Sequence, residues 1–212
     1  MKEIFPGIFR KGNELYTVNA VPGKRVYGEK LTDNYREWIP DRSKLASAIL
    51  CGLKEMPVKP GAKIVYLGAS TGTTVSHVSD IIGLDGIVYA VEFAERVMRK
   101  LMDVAKDRKN IVPILADARK PEDYSWVEEC DVVYVDVADP QETELSLRNA
   151  EAFLKKGGYM LIAVKSQSID VTKDPKLVFK EESEKLKDYK ILQIVDIDKY
   201  QKDHALVVAV NQ

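Results

Sequence analysis

Cysteine is scarce in this 212-residue chain, net charge is almost nil, and long apolar runs are missing. Cys51 and Cys130 stand 79 residues apart, which makes neither a disulfide framework nor a zinc site. They read as free thiols of a reducing compartment, and the expected location is the cytoplasm. Lys and Arg total 32 against 33 Asp and Glu, a formal charge of −1, so the chain does not coat nucleic acid by bulk charge. Local basic patches are not excluded by that total. No apolar run reaches the ~18 residues of a membrane span, and Met1–Gly7 has no signal-peptide pattern. Internal repeats and low-complexity segments are absent. What is present, 45% hydrophobic and 31% charged residues, suits one large globular domain, or one domain with a small appendage.

The first 35 residues differ from the rest. Glu3–Phe9, Glu14–Ala20 and Arg25–Lys30 are rich in β-formers and are separated by Arg10–Asn13 and Val21–Lys24, which carry turn residues. A small antiparallel meander is predicted. Residues 1–44 hold 9 Lys/Arg and 6 Asp/Glu, so what little positive charge the chain concentrates lies here. Asp41–Leu53 is predicted helical from Leu45, Ala48, Ile49 and Leu53, and Pro57 and Pro60 close it. From Ala62 strands and helices alternate. Strands are predicted at Lys63–Leu67, Gly86–Glu92, Ile111–Ala116, Asp131–Asp136, Tyr159–Val164, Ile191–Asp196 and Ala205–Val210. Helices are predicted at Thr73–Ile82, Glu95–Arg108, Gln141–Phe153 and Pro175–Leu186. This is an α/β pattern with a doubly wound parallel sheet. About eight residues separate the last two strands, too few for a parallel crossover, so the final strand should run antiparallel.

The first of these strands ends in Tyr66-Leu67-Gly68-Ala69-Ser70-Thr71-Gly72-Thr73-Thr74, directly before a helix. Glycines here admit a ligand close to the backbone, and the helix start offers free N–H groups. The middle glycine of a dinucleotide fingerprint is missing, which argues against a pyrophosphate. The second strand ends at Glu92-Phe93, 24 residues after Gly68, where an acid can accept from both ribose hydroxyls and Phe93 can pack on adenine. The third ends at Ala116-Asp117-Ala118, and Asp117 can take the adenine amine. An adenosine without a pyrophosphate fits this set, and the expected cofactor is S-adenosylmethionine.

Four polar residues stand out from apolar surroundings. Asp136 ends the fourth strand, Lys165 the fifth, His204 begins the last, and Lys44 lies in the helix before the sheet. Parallel strands expose their carboxyl ends at one edge, and an antiparallel strand exposes its amino end there. Asp136, Lys165 and His204 should therefore converge beside the glycine loop. Taken singly, each is as readily a solvated charge; His77, in the first helix after the loop, reads as structural or solvent-facing, and Arg96–Lys109 as a solvated face. A lysine–carboxylate–lysine set suits methyl transfer to an alcohol, a weak acid that needs a base or strong polarisation. No metal is expected.

At these residues the chain resembles the fibrillarin-like RNA 2′-O-methyltransferases, over essentially its whole length. The most specific stretch is Tyr35-Arg36-Glu37-Trp38-Ile39-Pro40-Asp41-Arg42-Ser43-Lys44-Leu45-Ala46, and Tyr66–His77 is similar to the family's cofactor loop. The resemblance implies a Rossmann-like class I methyltransferase fold over residues 36–212, with a seven-stranded sheet, behind a 1–35 β subdomain. It implies that Gly68, Ala69, Gly72, Thr73, Thr74, Glu92, Phe93, Asp117, Ala118, Asp136, Val137, Ala138 and Asp139 line the cofactor, and that Lys44, Asp136, Lys165 and His204 are catalytic. The chain departs from the family at Ile39-Pro40-Asp41, where Asn-Pro-Phe is usual, and at Ala138-Asp139-Pro140, where Ala-Gln-Pro is common. A carboxylate at 139 cannot donate as an amide can. The Gly/Arg-rich extension of eukaryotic members is absent, which matches the archaeal type. The implied partners are a box C/D guide RNA with its target rRNA or tRNA, a Nop-family scaffold protein and a kink-turn-binding protein. Two other readings share these features: a small-molecule O-methyltransferase, which would usually carry a metal site or an apolar lid, and a non-catalytic scaffold subunit, which would not need the four polar residues.

Overall fold

A computed structural model describes residues 1–212. Five short strands open the chain: β1 (Lys2–Phe5), β2 (Ile8–Lys11), β3 (Glu14–Val18), β4 (Leu31–Thr32) and β5 (Tyr35–Trp38). They pair antiparallel in the order β1-β2-β3-β5-β4. The predicted meander is present with different strands. Glu3–Phe9 is broken in two at Pro6-Gly7, where Gly7 takes φ +76°. The turn expected over Arg10–Asn13 is confined to Gly12-Asn13. Arg25–Lys30 forms no strand, because the Glu29 carboxylate folds back and accepts from the Val26 and Tyr27 amides at 3.0 and 2.8 Å. Those are donors that a ladder would have used. The sheet instead continues through β5, three residues past position 35.

A short 3₁₀ turn, Pro40–Arg42, leads into α1 (Lys44–Leu50). Ser43 caps α1 by accepting from the Ala46 amide, and Gly52 at φ +97° turns the chain soon after its end. The helix is thus shorter than the predicted Asp41–Leu53.

The rest alternates as expected: β6 (Lys63–Leu67), α2 (Thr73–Ile82), β7 (Ile87–Glu92), α3 (Glu95–Lys106), β8 (Ile111–Leu115), β9 (Cys130–Val135), α4 (Glu142–Phe153) and β10 (Leu154–Lys165). After these come α5 (Ser166–Ile169), α6 (Pro175–Glu184), β11 (Tyr189–Asp196) and β12 (His204–Asn211). The seven strands order as β11-β12-β10-β9-β6-β7-β8. Neighbours from β10 to β8 are parallel, while β12 is antiparallel to both β10 and β11. Both faces of the sheet are covered, which is why β6 and β9 read as unbroken apolar runs. One face packs on α1, α2 and α3 and on the N-terminal sheet; the other packs on α4 and α6.

The N-terminal sheet is fastened to α2 by polar groups as well as by Ile8, Leu15 and Trp38. Arg36, fully buried, donates to Asp80 and Glu29 at 2.5 Å each and to Ser76 at 2.6 Å. Thr17 and Tyr27 each meet one ring nitrogen of His77 at 2.8 Å, and Trp38 stacks on the same ring at 5.0 Å. Burial, with the Arg36 and Arg108 cations adding to it, holds His77 well below its ordinary pKa. His77 is a neutral structural residue. A buried ion pair adds little net stability, but removing one partner from such a network costs about 3–5 kcal/mol. The network therefore fixes how the N-terminal sheet sits on α2, the helix that follows the glycine loop.

Candidate active site

The sheet brings the expected residues together at the carboxyl ends of its strands. Lys165, the last residue of β10, pairs in register with His204, the first of β12. Asp136 follows β9, the other neighbour of β10. Lys44 reaches across from the start of α1, and its Nζ donates to Asp136 Oδ1 at 2.5 Å. The pair is only partly shielded, with side chains 23% and 17% exposed, so it is open to a substrate. His204 Nδ1 lies 2.6 Å from the Lys202 carbonyl, which makes Nδ1 the protonated nitrogen of a neutral ring and leaves Nε2 as an acceptor. Burial lowers the His204 pKa below its ordinary value; the Lys202 carbonyl opposes this, while the Lys44 and Lys165 cations add to it. The neutral ring is the form expected near pH 7.

Beneath this set lies a group that sequence reasoning missed. Glu142, at the start of α4, is fully buried, and no well-aligned hydrogen bond reaches either carboxylate oxygen, the Lys165 amide being a neighbouring donor. Burial pushes its pKa well above the ordinary carboxylate range and Asp136 pushes it further, against the pull of Lys44. The neutral acid is favoured, and the Tyr66 and Tyr134 rings stacked nearby at 4.4 Å are buried with it. Three charged neighbours in its own segment, Asp139, Glu144 and Arg148, give no hint in the sequence that Glu142 alone turns inward.

Two cavities meet at Asp136. The polar one, about 340 Å³, is lined by Arg42, Lys44, Tyr66, Gly68, Ala69, Ser70, Thr71, Thr73, Thr74 and Asp136. The smaller one, about 160 Å³, is mostly apolar and is lined by Val91, Glu92, Phe93, Ala116, Ala118, Val137 and Ala138, with Gly68, Ser70 and Asp136 shared. Gly72 precedes α2 at φ +87° and no side chain caps that helix, so the first-turn amides at Thr73 and Thr74 are available to an anion. Glu92 is 7% exposed and accepts from the Ser70 and Ala94 amides at 2.9 Å each, which ties the glycine loop to the end of β7. Each of its oxygens retains a second lone pair. Phe93 is 76% exposed at the mouth of the apolar slot.

Asp117 and Asp139 lie outside both linings. The Asp117 carboxylate is taken by Arg119 through Nε and Nη2 at 3.0 and 2.9 Å, and Arg119 holds its pKa below the usual carboxylate range. Asp139 accepts from the Gln141 amide at 2.8 Å, an ordinary turn contact before α4. Arg42, Tyr66, Ser70 and Thr71, by contrast, line the polar cavity without having been expected there. Ser70 and Thr71 could have been found from their place between two loop glycines, and Arg42 from its position two residues before Lys44.

An apolar slot bearing one acid suits a nucleoside. An uncapped helix start in a polar cavity suits the carboxylate of an amino acid, and the two join beside an ion pair. The donor set therefore fits S-adenosylmethionine. This strand order, with its reversed β12, and this pair of cavities define a class I S-adenosylmethionine-dependent methyltransferase. The whole chain, residues 1–212, matches the fibrillarin family. It is 50% identical to the fibrillarin-like rRNA/tRNA 2′-O-methyltransferase of Pyrococcus abyssi, over 98% of this chain and 96% of that one. It superposes on Aeropyrum pernix fibrillarin, solved with natively bound S-adenosyl-L-methionine, with a TM-score of 0.86 and 52% identity over 93% of this chain and 89% of that one. Its TM-score against fibrillarin from a fibrillarin/Nop5p complex is 0.92, with 40% identity over the full length of both. The chain belongs to the fibrillarin family.

Glu92→Ala is expected to weaken S-adenosylmethionine binding ten- to a hundredfold, about 1.4–2.8 kcal/mol, without unfolding the protein. Isothermal titration measures this, and unchanged affinity would remove Glu92 from the cofactor site.

Proposed function

We propose that this chain transfers methyl groups from S-adenosylmethionine to ribose 2′-hydroxyls of rRNA and tRNA, at positions chosen by a box C/D guide RNA in the cytoplasm. The observation that carries the reading is the Lys44–Asp136 ion pair at the junction of the two cavities, with Lys165 and His204 paired beside it. The chemistry lies in the α/β domain that follows the N-terminal β appendage, whose sheet ends with β5 at Trp38. A Nop-family scaffold holds the enzyme, in line with the fibrillarin/Nop5p complex, and a kink-turn-binding protein anchors the guide. No helix is long and apolar enough to cross a membrane.

S-adenosylmethionine, when bound, supplies an electrophilic methyl group on a sulfonium. The protein's work is positioning and charge. Glu92 and Phe93 hold the nucleoside, and the Thr73 and Thr74 amides hold the amino-acid carboxylate. Lys44 fixes the Asp136 carboxylate through their ion pair. Lys165 faces the target hydroxyl either as the base that accepts its proton or as a cation that steadies the developing alkoxide. His204, neutral with Nε2 free, is placed to accept a hydrogen bond beside Lys165. Glu142 beneath them favours its neutral form, which avoids a second negative charge next to Asp136.

A chain of net charge −1 is ill suited to capture RNA alone. The isolated protein should bind S-adenosylmethionine yet barely methylate RNA, and activity should appear once scaffold, anchor protein and guide are added. Filter assays of methyl incorporation with and without guide test this. Efficient, sequence-selective methylation by the chain alone would sink the guide-directed reading.

A further inference from the structure

Another cavity, larger than the catalytic one, lies beside it. It is a groove of about 470 Å³ between the N-terminal subdomain and the second half of α3. Val21, Val26, Tyr27 and Val104 supply apolar surface. Lys24, Arg25, Arg42, Lys100 and Arg108 bring five cations, against only Asp103 and Asp107. Both acids are already engaged: Asp107 by Lys24 at 2.7 Å, and Asp103 by Lys106 at 2.6 Å. Arg108 is buried against Asp80 at 3.2 Å. Arg25, Arg42 and Lys100 remain, all exposed and none in an ion pair. Arg25 is oriented by its Nε, which donates to the Glu29 carbonyl at 2.9 Å, and Arg42 lies over the Tyr27 ring, 5.9 Å from its centre. Arg96, one turn before Lys100 on α3, is exposed and unpaired as well.

Three uncompensated cations in one groove are unusual for a chain whose total charge is −1. They answer a need of the chemistry. Arg42 and Thr71 line this groove and the polar catalytic cavity alike, so the two spaces adjoin. A ribose presented at Asp136 belongs to a strand that must run on across the protein, and its flanking phosphates need neutralising contacts. Cations beside apolar surface, with both carboxylates of the groove already engaged by other lysines, match a phosphodiester backbone and specify no base. We propose that this groove seats the sugar–phosphate backbone of the target RNA flanking the methylated ribose, with the N-terminal subdomain as one wall and α3 as the other. The proposal rests on the guide-directed reading above and assigns the segment Val21–Tyr27 a role in substrate placement.

The test is the double variant Arg25→Glu/Lys100→Glu, assembled with scaffold, anchor protein and guide, and assayed in single turnover with a guide-complementary oligonucleotide. Both side chains are exposed and outside the catalytic set. The half-saturating target concentration should rise about tenfold or more, while the rate at saturating target and the affinity for S-adenosylmethionine stay within about threefold. The dependence of log K on log salt should flatten by roughly 1–2 for two lost phosphate contacts. An unchanged target requirement and salt slope, with the wild type active, would overturn the groove alone. Failure of the variant to co-elute with the scaffold would overturn it too, by marking this face as a protein-docking surface. If the wild-type assembly itself does not methylate guided RNA, it is the functional reading that falls. The groove is then judged by fluorescence anisotropy of a labelled single-stranded oligonucleotide on the isolated chain, where unaltered affinity of the double variant rejects it and about a tenfold loss sustains it.

Discussion

Lys165→Ala should cut the rate of methyl transfer by about 10²-fold or more and leave the affinity for S-adenosylmethionine nearly intact. Lys165 ends β10 in register with His204, beside the Lys44–Asp136 pair, and it lines neither cofactor cavity. A loss confined to the chemical step is what its position implies. Single-turnover assays of the assembled complex are the proper measurement, because they separate chemistry from assembly and release. Wild-type rates in that assay would remove Lys165 from the catalytic set. Lys165→Arg then distinguishes the two roles left open: arginine keeps the charge but cannot act as a base near neutral pH. Substantial recovery with arginine marks the lysine as a fixed cation.

The second large effect is expected from a single added methyl. Gly68 sits at φ +79° where β6 gives way to the glycine loop, and a Cβ there would collide with the backbone carbonyl of Asp136. The left-handed conformation costs a non-glycine residue roughly 1–2 kcal/mol, and overpacking adds about 1–3 kcal/mol. Gly68→Ala should therefore lower the melting temperature by about 5–15 °C. Because the obstructed atom belongs to Asp136, the carboxylate must also move, and a displacement of roughly 1 Å at a reacting group can cost about 10²-fold in rate. Thermal unfolding together with single-turnover kinetics checks both halves. A variant with native melting temperature and rate would show that the loop yields freely at this point.

How much of this could be read beforehand depended on where each residue finds its partners. The inner strands of the seven-stranded sheet were legible because burial on both faces leaves them as apolar runs, and the start of α2 was marked by Gly72. Convergence of Asp136, Lys165 and His204 followed from strand direction alone, and the observed register agrees. The N-terminal sheet was harder. Tyr35–Trp38 carries Arg36 and Glu37, which argue against a buried strand until Asp80, 44 residues later, is seen to satisfy Arg36. Val26-Tyr27 has strand-like composition, yet Glu29 claims its amides first. Asp117 stands where an adenine contact was expected, but its neighbour Arg119 holds it more directly. Lys44 stood out as a polar residue in apolar surroundings, and the family resemblance marked it further; nothing in its own helix foretold the ion pair with Asp136, 92 positions away. Glu142 gave no sign at all, since inward rotation of one acid among several charges is decided by packing.

The place of β12 bears on how the enzyme comes into being. β12 follows β11 in the chain but lies between β11 and β10 in the sheet. A growing polypeptide therefore releases β11 from the ribosome with no edge to join, since its only neighbour has not yet been made. Lys44, Asp136 and Lys165 are by then already synthesised, and His204 arrives with the strand that closes the sheet. Long-range pairing of this kind is slow and leaves apolar edges exposed while it waits. On the catalytic role proposed for His204, competence and completion of the sheet arrive in the same event, and a nascent chain halted before residue 204 should carry a cofactor loop without a working centre.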